Sequence, residues 1–318
     1  MALPQLVDLT DLVVLRREAV AQGYSDTHIR SLVRAGAWHR VRRGAYVEGE
    51  VWRSLSEVDQ YRLRARAVLR TAHETTVLTH VTAALEWGAP LWGVPLEHVH
   101  VTRTDGAGGR RESGVVHHRG ALPPSQSVTL NGVPVSIPAR CALEVITLAS
   151  VEQALVTVNG LLHAGLAQPA EIAALAHEHR FWPSTLNANL VTRLADPRLE
   201  SPGESRTAYF MWAHHLPRPV PQYEIRDASG RFVARVDFAL PEHGVFLEFD
   251  GLAKYREHRR AGESFEDYLL REKHREERIC QLTGWTCVRI RWRDLEHPAE
   301  LAARIRAVLA RRPPGGGM

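Results

Sequence analysis

The chain has 318 residues, 44% of them apolar, which is enough for two or three packed modules and excludes a disordered or fibrous protein. Its 40 Lys and Arg against 36 Asp and Glu leave a net charge of +4, so any electrostatic function depends on where the charge is concentrated. Cys141, Cys280 and Cys287 show no C-x-x-C spacing, which argues against a disulfide framework or a zinc knuckle and fits a reducing cytoplasm.

Residues 1–20 carry Asp8 and Asp11 inside their most apolar stretch and lack a cationic start, unlike a signal peptide. The longest uncharged runs, 120–139 and 153–170, are interrupted by Pro, Ser, Asn, His and Gln, so neither would cross a bilayer cheaply. The expectation is a soluble cytoplasmic protein without a membrane segment. Residues 10–22 read as a helix with Thr10 as N-cap and Gly23 as stop, and a second helix runs from Ser25 to Gly36. WHRVRRGAYV then suits a small hairpin around Gly44, and this order predicts a winged helix-turn-helix over 1–54. Between 27 and 47 lie Arg30, Arg34, Arg40, Arg42 and Arg43 and no acid, a distribution suited to duplex phosphates, although an ordinary basic surface would look the same.

A mixed α/β module is expected over 55–195. Residues 55–72 and 79–87 read as helices, and 97–103, 114–119 and 127–137 as strands, with a Gly-rich turn at 105–109. Helical patterns fill 139–194, split at Gly165, Pro169 and Pro183. The third module, 196–311, reads helix 202–215, strands 220–226, 231–240 and 244–250, helix 265–283, strand 286–292 and helix 296–311, followed by a disordered tail over 312–318. The fold class is therefore multidomain α+β.

The stretch RFVARVDFALPEHGVFLEFDG holds two strand-like runs joined by Pro241-Glu242-His243-Gly244. A hairpin with Glu242-His243 at its tip sets Asp237 opposite Glu248, Val236 opposite Phe249 and Phe238 opposite Leu247. Val236, Phe238, Leu247 and Phe249 then share an apolar face, while Arg235, Asp237, Glu248 and Asp250 crowd the other. Opposed like charges repel unless neutralised. Two readings follow: a divalent Mg²⁺ or Mn²⁺ held by Asp237, Glu248 and Asp250, suited to oxygen-only ligands and able to activate water against a phosphodiester, or a polar face on which Arg235 bridges the acids.

Lys254 lies four residues after Asp250, either within reach of the patch or as a surface lysine. On helix 265–283 the apolar stripe Phe265, Leu269, Ile279 and Cys280 has Glu272 and Glu276 in its middle, as site acids or as salt-bridge partners. Glu204 falls at N3 of a capping box with Ser201 and Pro202. Arg289 and Arg291 share one face of strand 286–292, where they could hold phosphates or be solvated.

ESPGESR, RVDFALPEHGVFLEFDG with its trailing AKY, and REKHREERICQLTGWTCVRIRW make the segment from about Leu199 to Leu295 resemble the Vsr-like (very short patch repair) branch of the PD-(D/E)XK nuclease superfamily. The resemblance implies an α-β-β-β-α-β core over 196–311 and metal-dependent cleavage of DNA, with Asp237 and Glu248 as metal-binding acids, Glu204 as the helix acid and Lys254 as the lysine. The superfamily usually places a lysine two residues after the second acid, where this chain has Asp250; either Lys254 or Lys273 substitutes, or hydrolysis is weak or lost. YSDTHIRSLVRAGAWHRVRRGAYV, residues 24–47, resembles the N-terminal winged helix of AbiEi-type antitoxins of type IV toxin–antitoxin systems. That likeness implies double-stranded DNA and a cognate toxin as partners, and with it a second function, a non-enzymatic repressor whose C-terminal fold survives as a scaffold.

Overall fold

The computed structural model describes residues 6–9, 11–251 and 263–311, without the side chains of Phe265 and Leu269. Thr10, Lys254 and the tail 312–318 lie outside the described residues, as do the side chains of two positions of the proposed apolar stripe, Phe265 and Leu269. The chain divides into two compact units, Met1–Ala195 and Asp196–Met318.

The first unit begins with β1 (Val14–Leu15) and α1 (Arg16–Ala21) rather than with a helix over 10–22. Val14 and Leu15 pair with Tyr46 and Ala45, so sheet formation takes these β-favouring residues away from the helix. Helix α2 (Asp26–Arg34) is capped by Ser25, whose Oγ accepts from the His28 amide at 3.1 Å. It leads into an antiparallel hairpin, β2 (Trp38–Arg42) and β3 (Ala45–Glu48), in a sheet of order β1-β3-β2. Leu9, Val13, Leu15, Ala45 and Val47 form one core with Leu63 and Ala67 of α4 (Glu57–Leu69), which follows the short α3 (Gly49–Ser54).

Six strands form the second sheet of this unit, in the order β6-β7-β5-β4-β9-β8. They are β4 (Thr76–Leu78), β5 (Val99–Arg103), β6 (Arg110–Glu112), β7 (Val115–His118), β8 (Ser127–Leu130) and β9 (Val133–Ser136), with α5 (His80–Glu86) after β4. The run 127–137 is thus a hairpin rather than one strand. Asn131 at φ +50° and Gly132 make its two-residue turn, the dipeptide that most favours one. Helices α6 (Pro138–Leu148), α7 (Val151–His163), α8 (Pro169–Glu178) and α9 (Leu186–Leu194) complete the unit.

The second unit has the element order α10 (Pro202–Ala213), β10 (Val220–Arg226), β11 (Phe232–Leu240), β12 (Val245–Asp250), α11 (Phe265–Thr283) and β13 (Thr286–Arg291). The sheet runs β10-β11-β12-β13, antiparallel except for the parallel β12–β13 pair. Two helices, α12 (Trp292–Glu296) and α13 (Pro298–Ala310), replace the single one expected over 296–311, because Pro298 opens a new helix. In the β11–β12 hairpin Phe238 pairs with Leu247, Ala239 with Phe246 and Leu240 with Val245, the expected register, across a turn Pro241–His243 closed by Gly244.

Phe238, Leu247 and Phe249 pack on one sheet face with Phe210 and Met211 of α10 and Leu301 and Ile305 of α13. Val236 departs from the expected apolar face and joins Ala234, Ala239, Phe246 and Ile279. The β10–β11 ladder omits the Gln222/Asp237 position, where Gln222 takes φ +52°, and the alternation of faces breaks between Val236 and Phe238.

Candidate functional site

Two arrangements of charged side chains stand out, one in each unit. In the first, Ser25 starts α2 and the turn after Arg42 closes the hairpin, which leaves Arg30, Arg34, Arg40 and Arg43 exposed. Arg30 donates to the Asp26 carbonyl at 3.3 Å and to Thr27 Oγ1 at 3.2 Å, so its guanidinium lies along α2. Arg42 is different. The ladder shifts register between Arg40 and Arg42, leaving Arg42 half-buried, where burial lowers its guanidinium pKa and the charge of Glu112 opposes that shift. Arg42 is therefore set apart from the exposed arginines with which the sequence grouped it.

The second arrangement is a cleft of about 720 Å³ in the C-terminal unit. Glu204, Asp237, Glu248, Asp250, Glu272, Arg289 and Arg291 all line it. Glu204 is buried at the start of α10, with Oε1 accepting from Ser201 Oγ at 2.7 Å and Oε2 from the Glu200 amide at 3.0 Å and Gln222 Nε2 at 2.8 Å. Ser201 caps α10 by accepting from the Glu204 amide at 3.2 Å, but the Glu204 carboxylate meets the Glu200 amide and the Ser201 hydroxyl, so the expected capping box is formed only in part. Asp237 is also buried, and its Oδ2 accepts from the Phe249 amide across the hairpin at 2.8 Å.

Arginines from other elements meet the remaining acids. Arg275 of α11 donates to Glu248 Oε1 at 3.2 Å and Glu272 Oε2 at 3.4 Å, and also to the Arg235 carbonyl. Arg289 of β13 reaches both Asp250 oxygens through Nη1, at 2.8 and 3.0 Å, and Glu276 Oε2 through Nε at 2.6 Å. Burial opposes the Arg289 charge, but its hydrogen bonds to Asp250 and Glu276 outweigh that and raise its pKa. Arg235, the expected neutraliser, instead pairs with Glu200 at 3.1 Å. Arg291 is largely exposed, with its Nε 4.0 Å from Asp250.

The donor set is oxygen only, the chemistry Mg²⁺ and Mn²⁺ take. Its arrangement does not fit the ion: Asp250 faces Arg289 with both oxygens and Glu248 meets Arg275. Among the described residues no three His, Cys, Asp or Glu side chains converge as a metal group. Arg289 is likewise engaged by two acids and is not poised for a phosphate. Sequence reasoning missed Arg275, although its position three residues after Glu272 on α11 was a signal.

It also missed a buried polar cluster in the first unit. His80 and His118 stack with ring centroids 3.6 Å apart, and His100 Nδ1 lies 2.8 Å from His118 Nε2. Burial lowers all three pKa values, to about 3 for His100, about 4 for His118 and well below the usual range for His80; repulsion from His118 adds to the shift of His80 and His100, and the charges of His117 and Arg111 to that of His118.

Residues 1–49 match a family described as transcriptional regulator, AbiEi antitoxin, and residues 67–192 match the AbiEi antitoxin C-terminal domain. Neither match extends into the second unit. The chain is similar to the crystal structure of the RV2827C protein from Mycobacterium tuberculosis at 14% identity and a TM-score of 0.41, over 62% of this chain and 75% of that one. No curated protein matches.

Proposed function

We propose that this protein is a DNA-binding transcriptional regulator of the antitoxin type, non-enzymatic, with its winged helix in residues 1–54. The observation that carries this reading is the exposure of Arg30, Arg34, Arg40 and Arg43 on α2 and the β2–β3 hairpin, within the segment that matches an antitoxin regulator. A helix and a wing lined by guanidiniums meet the regularly spaced phosphates of a duplex, and counterion release makes such binding salt-dependent. Residues 67–192, which match the AbiEi antitoxin C-terminal domain, fall within the expected middle module 55–195, and a cognate toxin is the partner this description implies. A cytoplasmic setting fits this role, and among the described residues no helix is long and apolar enough to cross a membrane.

The C-terminal unit, residues 196–311, is read as a scaffold, because the acids that would hold Mg²⁺ or Mn²⁺ are met by arginines. Gel-shift titration of duplex DNA over a salt series tests the main reading. Arg40→Ala/Arg43→Ala should bind more weakly, with the log–log salt slope reduced by roughly one unit per lost phosphate contact. Parent-like binding at every salt concentration would remove the hairpin from the interface. Supercoiled DNA incubated with Mg²⁺ or Mn²⁺ should stay uncut; cleavage that Asp237→Asn abolishes would return the C-terminal unit to the hydrolases.

A further inference from the structure

We infer that Arg275 and Arg289 stand where a divalent cation would otherwise be needed, so that the C-terminal cleft is neutralised by its own side chains and takes up neither Mg²⁺ nor Mn²⁺. The inference does not depend on the DNA-binding reading. Its starting point is charge. Asp237, Glu248 and Asp250 face one cleft, with Asp237 and Glu248 at 9% and 8% exposure, and clustered carboxylates that water hardly reaches repel one another unless a positive charge is held among them.

The fold builds that charge in. Parallel pairing aligns Glu248 with Arg289 and Asp250 with Arg291, so β13 brings guanidiniums alongside the acids of β12 as a consequence of register. Arg289 then spans Asp250 and Glu276, and Arg275 spans Glu248 and Glu272, each bridging a strand acid to an acid of α11. A guanidinium suits this place because it stays charged at every accessible pH and presents donors in a rigid fork that meets two carboxylates at once. A dication on the same carboxylates would sit beside both guanidiniums and be repelled by them, so the built-in charges disfavour the ion. Asp250 fits the same account: it adds a negative charge, and Arg289 balances it across the strand pair.

Melting curves of the full chain in EDTA, Mg²⁺ and Mn²⁺ test the inference. The parent should melt at the same temperature in all three. Arg275→Gln/Arg289→Gln should melt roughly 5 °C or more lower in EDTA, and Mn²⁺ should restore part of the loss by binding the uncovered acids. Adding Glu248→Gln and Asp250→Asn to that pair should abolish the Mn²⁺ response and recover stability in EDTA. A Mn²⁺-induced rise in the parent that Asp237→Asn or Glu248→Gln removes would overturn the inference, and this comparison holds even if the arginine variants fail to fold. An unchanged melting temperature in the double arginine variant would overturn it as well.

Discussion

Glu86 lies at 1% exposure and receives two guanidiniums, Arg62 Nη2 at 3.1 Å and Arg66 Nη2 at 3.2 Å, while Asn131 Nδ2 donates to its Oε2 at 3.3 Å. Removing one partner of a buried ion pair leaves the other charges uncompensated, so Glu86→Gln should lower stability by about 3–5 kcal/mol in chemical denaturation. A loss below about 1 kcal/mol would mean that water reaches the arginines. The histidine cluster makes a second prediction at this scale. Folded His100 and His118 titrate near about 3 and 4, whereas an unfolded histidine titrates near 6.5, so the unfolded chain binds more protons below that point. Their contribution is complete above about pH 6.5 and is lost as pH falls toward their folded values, at up to about 1.4 kcal/mol per pH unit for each. Glu144, which accepts from the His80 amide at 3.0 Å, has its pKa raised by burial against the pull of Arg140, and it favours the folded state at low pH, in partial opposition. Denaturation between pH 5 and 7 should show this slope, and His100→Asn should flatten it; an unchanged slope would place the acid sensitivity elsewhere.

Among the elements, α10 approaches β12 closely only because position 203 has no side chain. A Cβ on Gly203 would run into the Phe249 ring, which packs edge-on against Trp292. Gly203→Ala should therefore destabilise the C-terminal unit by about 1–3 kcal/mol despite the helix propensity gained, as seen in thermal melts. A stabilised variant would show that Phe249 can move aside. The β11–β12 register is legible in the sequence because alternation along Val245–Asp250 leaves one pairing that keeps Phe238 and Leu247 inside. The Val236 exception was not legible, since alternation along β11 puts Val236 and Phe238 on one face, and the structure divides them between two cores. Salt-bridging of Glu272 and Glu276 was legible as an alternative, but not the arginines that meet the strand acids, because only the parallel β12–β13 pairing brings Arg289 beside Asp250. At the N-terminus, local propensity placed α2 correctly from Ser25 but lost β1, two residues whose strand state depends wholly on β3.

For the whole molecule, the two units keep separate cores: Leu9, Leu15 and Leu63 belong to the first, and Phe238, Leu247 and Ile290 to the second. A fragment of residues 1–195 should therefore fold alone and bind duplex DNA within a few-fold of the full chain. A fragment that is folded by circular dichroism yet fails to bind would assign DNA contacts to the second unit. The parallel β12–β13 pair also bears on biosynthesis. Val245 cannot meet Thr286 until α11 and β13 have been translated, whereas β11 and β12 are joined by a tight turn. A growing chain therefore carries β12 with one edge uncovered through the synthesis of α11, the interval in which strand edges recruit wrong partners. The first unit has no such interval at that stage, because its last strand ends at Ser136, long before β12 leaves the ribosome.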